Sequence, residues 1–571
     1  MKHLLVSFFF FLLCYNVAEA QTYANIPGPE NVLVVYNSLN QTSIDVKDYY
    51  QTARGIPASN IFGIPLPNSA QYQSGLATLI DSGEVIYSNN SRAAWDYYKD
   101  KIADTIEYYL TNTYVGGQQL KNTIRYIVLC KGIPLKLWTY ENYSGNECPG
   151  YPWQCNYSWG HYRNVAVDAL VCLLYQNILN LYNANLGQQN PYQNSADMNF
   201  TFDYRFVTNH FTNGNGWKLN YLVSRLDGDN YTDITEMIDR SVAPDKSGLG
   251  YWVFDADTCH NTGVTKQVHT GNYMSTAQNN LIAHSFNTNP SSYDPDCNFI
   301  VDNPEGNVIG YTSCGRHSWL GLACGVFDPN YMGCLSFNYA NGAVFNTFES
   351  YNGAGMYQIY REGDFGLVSD FIKAGGTGGL GHTWEPALSG AAKNNNLFNL
   401  YAMGYGLVDA AYQSIPYLAW NNVVVGDPLT TIAWGKQTLQ DSIVFEDVNL
   451  ITGELDIAGN AAFITNGTTL RFKHNGFITG EGYLIELGRD YVIETIDWNK
   501  SVFKSKYNNH PMLIWAPYPG EEYVYEYKIY RKWESAGFEL IGSASNEEFV
   551  FVDNELEIIK PDGEIPKNAQ Y

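Results

Sequence analysis

Between Asn307 and Leu429 the chain carries four short apolar runs, each delivered into small or polar residues. They read NVIGYTSCGRHSW (Asn307 to Trp319), GAVFNTFESYN (Gly342 to Asn352), GGTGGLGHTWEP (Gly375 to Pro386) and VVVGDPL (Val423 to Leu429). Short β-rich runs without polar alternation have the pattern of strands buried on both faces, which is the habit of parallel sheets. The turns that follow such strands gather at the carboxyl edge, where open α/β sheets hold ligands and catalytic groups. Here the first turn carries Cys314 and His317, the second Glu349 and Ser350, the third His382 and Glu385.

The rest of the α/β region repeats the rhythm. Val32 to Tyr36 is a buried-strand pattern, followed by a helix with Ser43 as N-cap, Asp45 in its first turn and Arg54-Gly55 at its end. A helical stretch near Trp95 to Leu110 feeds a strand over Ile124 to Cys130. A strand at Tyr221 to Ser224 precedes a helix around Thr232 to Arg240, and Tyr251 to Phe254 is the next strand. Strand alternating with helix over this length predicts an α/β domain with a mainly parallel sheet. The polar, cysteine-bearing segment Glu141 to Tyr162 interrupts the rhythm as a surface insertion.

With 571 residues, more than one domain is expected. Residues 1–20 have the tripartite form of a secretory signal: Lys2 and His3, an apolar run from Leu4 to Leu13, and Ala18-Glu19-Ala20 before Gln21. That run is too short to span a bilayer, and no later segment reads as a membrane helix. Cys14 does not signal lipidation, because Leu13 occupies the place of the small residue expected before it. The signal predicts a secreted, extracellular or cell-surface protein. A formal net charge of −24 and a pI of about 4.7 exclude a nucleic-acid partner, which needs clustered Lys and Arg. The partners left in view are an extracellular protein or a polysaccharide.

An odd number of cysteines follows the signal in a disulfide-permissive setting. Cys148 and Cys155 bracket one loop, Cys324 and Cys334 another, and Cys259 and Cys297 flank a polar segment. Cys130 and Cys172 lie in apolar runs and read as inert core thiols, which leaves Cys314 beside His317. Spacing alone does not fix the pairing. No cofactor is called for. The stretch FDADTCH, with Asp255, Asp257, Cys259 and His260, has donor types for a structural calcium ion but matches no zinc spacing and no EF-hand loop. The five glycines of Gly375 to Gly381 permit tight turns and close backbone approach, so Gly378 and Gly379 are candidate lining for an oxyanion, without any nucleotide-binding register.

After Trp434 the pattern turns all-β. Residues 437–500 alternate short apolar and polar or glycine positions, as in a few turns of a β-solenoid, and residues 501–571 resemble a fibronectin type III sandwich with Trp515 in its core and Tyr530 on its third strand. That sandwich stops before its last strands, which predicts unusual exposure of Trp515 and Tyr530.

The order strand, His, strand, candidate nucleophile, strand, Gly-Asp-Pro resembles the gingipain-type cysteine peptidases of caspase-like fold, over residues 21–436. The resemblance implies His317 as catalytic histidine, beside Gly315, and Ser350 where the family has its cysteine; from their own chemistry Glu349 is a candidate general acid or base and His382 a candidate substrate-orienting group. Arg316-His317-Ser318 departs from the family's His-Gly neighbourhood. A serine hydroxyl is far harder to ionise than a thiol, and needs a placed base and an oxyanion hole. Cys314 is an alternative nucleophile, although it shares a turn with His317. A closer likeness is carried by VVYNSLNQTSIDVKDYYQTARGIPASNI, IVLCKGIPLKL, VDALVCLLY, YLVSRLDG, GGTGGLGHTWEP and WNNVVVGDPL. These are similar to an uncharacterised secreted bacterial family found in genomes with the exosortase sorting system. Two functions follow as expectations: a noncatalytic or pseudo-peptidase protein of extracellular binding or surface assembly, or an active secreted peptidase using His317 with Ser350 or Cys314.

Overall fold

The computed structural model describes residues 23–24, 27–139, 165–176, 187–193, 219–255, 274–289, 307–313, 337–348, 351–356, 368–384, 386, 390–439, 444–457, 461–464, 467–479, 484–487, 491–495, 503–507, 510–518, 524–533, 537–556 and 569–570. The signal segment, the Glu141–Tyr162 insertion, the residues Asp257 and His260, and the cysteines 148, 155, 259, 297, 324 and 334 lie outside them. Cys130 and Cys172 are described, free and buried.

Ten strands form the central sheet: β1 (Val32–Asn37), β2 (Ile61–Ile64), β3 (Tyr126–Cys130), β4 (Leu222–Leu226), β5 (Tyr251–Asp255), β6 (Asn287–Thr288), β7 (Val308–Ser313), β8 (Tyr339–Thr347), β9 (Gly378–His382) and β10 (Asn422–Val425). Their order is β6-β5-β7-β8-β9-β10-β4-β3-β1-β2. Each half places its first strand inside an edge strand and adds later strands on the other side, so the chain builds the same pattern twice. Within each half the neighbours are parallel. β10 closes the seam, antiparallel to β9 and touching β4 at the one parallel bridge Arg225–Val425, a single pair that sets no strand direction, so the relative direction of the halves is read from the contacts at their edges.

Both halves run the same way. The end of α2 (Tyr231–Val242), at the amino edge of the first half, meets the start of β8 through Asp245 N–H to Asn341 O and Asn341 Nδ2 to Ala243 O. At the opposite edge Met356, after β8, donates its N–H to Glu84 beside the first half. Carboxyl ends of parallel strands therefore line one common edge. β10 is the exception among the four apolar runs: it is antiparallel, so Gly426-Asp427-Pro428 leaves at the amino edge. There Asp427 accepts from Tyr50 and from Arg54 at the end of α1 (Gln41–Arg54), and also from Leu429 N–H.

Helices cover both faces. α1, α2 and α4 (Val368–Lys373) pack on one, while α3 (Met274–Ala283), α5 (Asn394–Ala402) and α6 (Leu407–Ser414) pack on the other. Strands such as β1 and β3 are therefore buried from both sides, which is why they read as unbroken apolar runs. The helix α1 starts differently from the sequence expectation. Asn40 is its N-cap, accepting from Ser43 N–H, whereas Ser43 is buried and its hydroxyl accepts from Asn37 N–H. Gly55 ends it at φ 65°, a left-handed position that costs a glycine little. A lateral sheet of Ser69–Tyr72, Gly75–Ile80, Val85–Ser88, Lys136–Thr139 and Val165–Ala166 flanks the first half. The sequence reading had no place for it.

Beyond Trp434 the described elements are strands. Successive strands stack in three parallel ladders: Gln437–Leu439, Glu454–Ile457 and Phe477–Thr479; Val444–Phe445, Ala461–Ile464 and Leu484–Leu487; Val448–Ile451, Thr468–Phe472 and Tyr491–Thr495. Each coil lays one strand on each ladder. The coil is clamped to the α/β layer by Lys473, whose Nζ donates to Gly248 O at 2.8 Å and Ser285 O at 2.7 Å, and by Arg471 donating to Ser247 O. One sheet runs across the expected boundary near residue 500. Phe503–Tyr507 pairs in parallel with Leu484–Leu487 and antiparallel with His510–Ile514, which in turn pairs with Val550–Val552.

Trp515 corrects an expectation: it is 4% exposed, in a small core with Leu513, Ile529 and Ala544. The hairpin of Glu526–Trp533 and Glu539–Ser545 supplies Ile529, Ala544 and Tyr527, whose ring lies 5.4 Å from the indole. Tyr530, one residue on from Ile529, takes the other face of its strand and is 44% exposed.

Candidate functional site at the carboxyl edge of the sheet

Among the residues proposed from sequence, Cys314, Gly315, His317, Glu349, Ser350 and Glu385 lie outside the described residues, whereas Gly378, Gly379 and His382 lie within them. The strands that lead to the first group are described. β7 and β8 are parallel neighbours with Thr312 opposite Asn346 and Ser313 opposite Thr347, so both chains leave the sheet side by side at the carboxyl edge.

The segment after residue 350 is held tightly. Tyr351 has φ 60°, a strained value for a non-glycine residue, and its ring makes an edge contact with Trp384 at 4.8 Å. Asn352 is fully buried and works in two directions. Its Oδ1 accepts from His382 N–H at 2.8 Å, and its Nδ2 donates to the Thr347 hydroxyl at 2.9 Å. Gly353 N–H donates to His382 O, and a Cβ at Gly353 would lie 2.9 Å from His382 N, so only glycine fits this crossing. The loop thus ties the end of β8 to the end of β9.

The glycine-rich run forms strand β9 instead of a turn. A Cβ at Gly378 would strike Leu407 at 2.6 Å, and one at Gly379 would come within 2.8 Å of Phe345 O, so both glycines let α6 and β8 approach the strand. His382 ends that strand, buried and opposite Asn422 on β10. The buried carboxamides of Asn421 and Asn422 meet no hydrogen-bond partner among the described residues, and Asn394 links the Thr312 hydroxyl to Asn346. An interior this polar at one edge of the sheet is unusual, because each unpaired buried group costs about 1–3 kcal/mol.

The other half of the edge holds a network of five buried charges. Arg225 on β4 is 0% exposed and makes a two-pronged contact with Asp168 at 2.9 and 2.6 Å, with a further bond to Asp227 at 2.9 Å. Lys131, just past β3, donates to Asp227 at 3.0 Å, to Gly228 O at 2.8 Å and to Glu84 at 3.4 Å. Glu84 accepts from Met356 N–H at 3.2 Å, which joins this network to the loop that follows residue 350. Three carboxylates against two cations leave an excess negative charge.

Burial, and next the Asp227 carboxylate, push the Glu84 carboxyl up to about 7 from 4.5 despite Lys131. Between those values the native protein holds a proton that the unfolded chain has released. The stabilisation is complete below the lower value and is lost as pH rises through the upper one. Urea midpoints measured at pH 5 and pH 8 should therefore drop further for the natural protein than for Glu84→Gln. Equal drops would count against this assignment.

None of the five network residues was singled out as a site from sequence. A signal was present: IVLCKGIPLKL, VDALVCLLY and YLVSRLDG set one or two charges against an apolar run, Lys131, Asp168, Arg225 and Asp227 among them. Among the described residues no group of three His, Cys, Asp or Glu side chains is placed to hold a metal ion. No described helix is long and apolar enough to cross a membrane. No protein-family model, curated protein or solved structure matches this chain.

Proposed function

We propose that this is a secreted protein whose α/β domain is a gingipain-like, caspase-type scaffold working as a noncatalytic or pseudo-peptidase unit in extracellular binding or surface assembly, with solenoid-like and fibronectin type III-like modules behind it. The observation that carries the scaffold half of this reading is the side-by-side exit of β7 and β8 at the carboxyl edge. The peptidase dyad of that family comes from two neighbouring strand ends, and here those ends lead to His317 and to Ser350. The noncatalytic half rests on Ser350, since a site built to hold a thiolate does not supply the base that a serine requires. It is also supported by the described charges of the edge, which are buried and engaged with one another.

The test compares the secreted protein with Ser350→Cys, His317→Ala and Cys314→Ala on a broad peptide library. The natural protein is expected to show no cleavage above background. Activity that arises in Ser350→Cys and is lost on adding His317→Ala would identify a peptidase scaffold without its nucleophile. Robust cleavage by the natural protein that is abolished by Ser350→Ala or His317→Ala would overturn the noncatalytic reading in favour of an active peptidase.

A further inference from the structure

A cleft of about 390 Å³ opens where the β-coil meets the α/β layer, far along the chain from the residues of the sheet edge. The last turn of α3 supplies Asn280, the residue just after it is His284, and the coil supplies Lys436, Glu454, Asn475 and Phe477. The floor is a pair of imidazoles, His284 and His474, whose ring centres are 3.7 Å apart and nearly perpendicular. His474 and Asn475 both have left-handed backbones, with φ of 50° and 55°, so the wall is formed by a strained turn of non-glycine residues. Strain of this kind persists where the surrounding structure requires a particular presentation of side chains.

We propose that this cleft binds a neutral, hydroxyl-rich ring: a mono- or disaccharide. The charges of the walls, Lys436 and Glu454, cancel, so an anion or a cation would meet one like charge for each opposite one. The imidazoles add no charge at neutral pH. Burial lowers His284, and burial together with the His284 ring lowers His474 to about 4. What remains is a lining that joins groups able both to give and to accept hydrogen bonds, the carboxamides of Asn280 and Asn475 among them, with the apolar ring of Phe477. A sugar ring has that same combination, hydroxyls that both give and accept around its rim and an apolar C–H face. The volume falls at the small end of ligand clefts, roughly 300–1,000 Å³. Whether the sheet edge cleaves peptides has no bearing on this cleft.

Saturation-transfer NMR on the purified full chain tests it, with glucose, galactose, N-acetylglucosamine, maltose and cellobiose as probes beside glycine and inorganic phosphate. At least one neutral sugar should bind saturably, and glycine and phosphate should not. Asn280→Ala, at a half-buried helical position, and Asn475→Gly, which suits the positive φ, should each weaken that sugar by about tenfold, the loss of a good hydrogen bond. Both variants should keep the thermal midpoint of the natural protein, which separates lost recognition from lost folding. No saturable sugar, a preference for glycine or phosphate, or a sugar signal unchanged in both variants would overturn the assignment.

Discussion

Arg225→Ala should lower the unfolding free energy by about 3–5 kcal/mol, the cost of leaving buried partners of an ion pair uncompensated. The guanidinium is fully buried and serves Asp168 through two of its nitrogens and Asp227 through the third. Without it Asp168 and Asp227 lose the cation they share in the interior, while Lys131 pairs with Asp227 and Glu84. The loss should appear as a shifted urea midpoint with an unchanged slope. Arg225→Met combined with Asp168→Asn should recover part of the loss, because it removes the cation and one stranded anion together. A single Arg225→Ala variant within about 1 kcal/mol of the natural protein would show that the network is dispensable.

Asn352→Ala should cost about 3 kcal/mol and loosen the loop at residues 351–356. The side chain accepts from His382 N–H and donates to the Thr347 hydroxyl, so its removal takes a hydrogen bond from two buried polar groups at once. Thr347→Val deletes one partner and leaves the His382 contact in place, so about 1 kcal/mol is expected. Limited proteolysis gives an independent reading: cleavage near Tyr351 should accelerate in Asn352→Ala and stay slow in Thr347→Val. Equal costs and equal cleavage rates would mean that Asn352 does not hold the loop.

The parallel sheet was legible because burial on both faces leaves an unmistakable trace, as in VLVVY on β1 and YIVLC on β3. Three of the four runs around the proposed site lie where that trace puts them. VVVGDPL does not, since a buried strand reads the same in either direction and β10 proved antiparallel. Of the two roles open to the glycines of Gly375 to Gly381, tight turns and close backbone approach, Gly378 and Gly379 take the second, inside a strand that Leu407 and Phe345 approach closely. Ser43 and Asn40 are both good N-caps, and the choice fell to Asn40 once Ser43 was enclosed by Asn37. Exposure of Trp515 was mispredicted because a hairpin from the following residues covers it.

The sequence by itself determined the alternation of strands and helices, the change to all-β architecture after Trp434, and the residue types that stand at the strand ends. Each depends on neighbours in the chain: periodicity, capping and side-chain size act over a few residues. Only the tertiary structure decided which charges meet. Asp168, Lys131, Glu84 and the pair Arg225 and Asp227 come from four separate places, and Arg54 reaches Asp427 across more than 370 positions. A lone charge next to an apolar run carries no mark of its partner, and an unpaired one would be too costly to bury. The fold resolves that cost at the carboxyl edge of the first half, where the five side chains of the network close on one another and Met356 N–H of the second half joins them at Glu84.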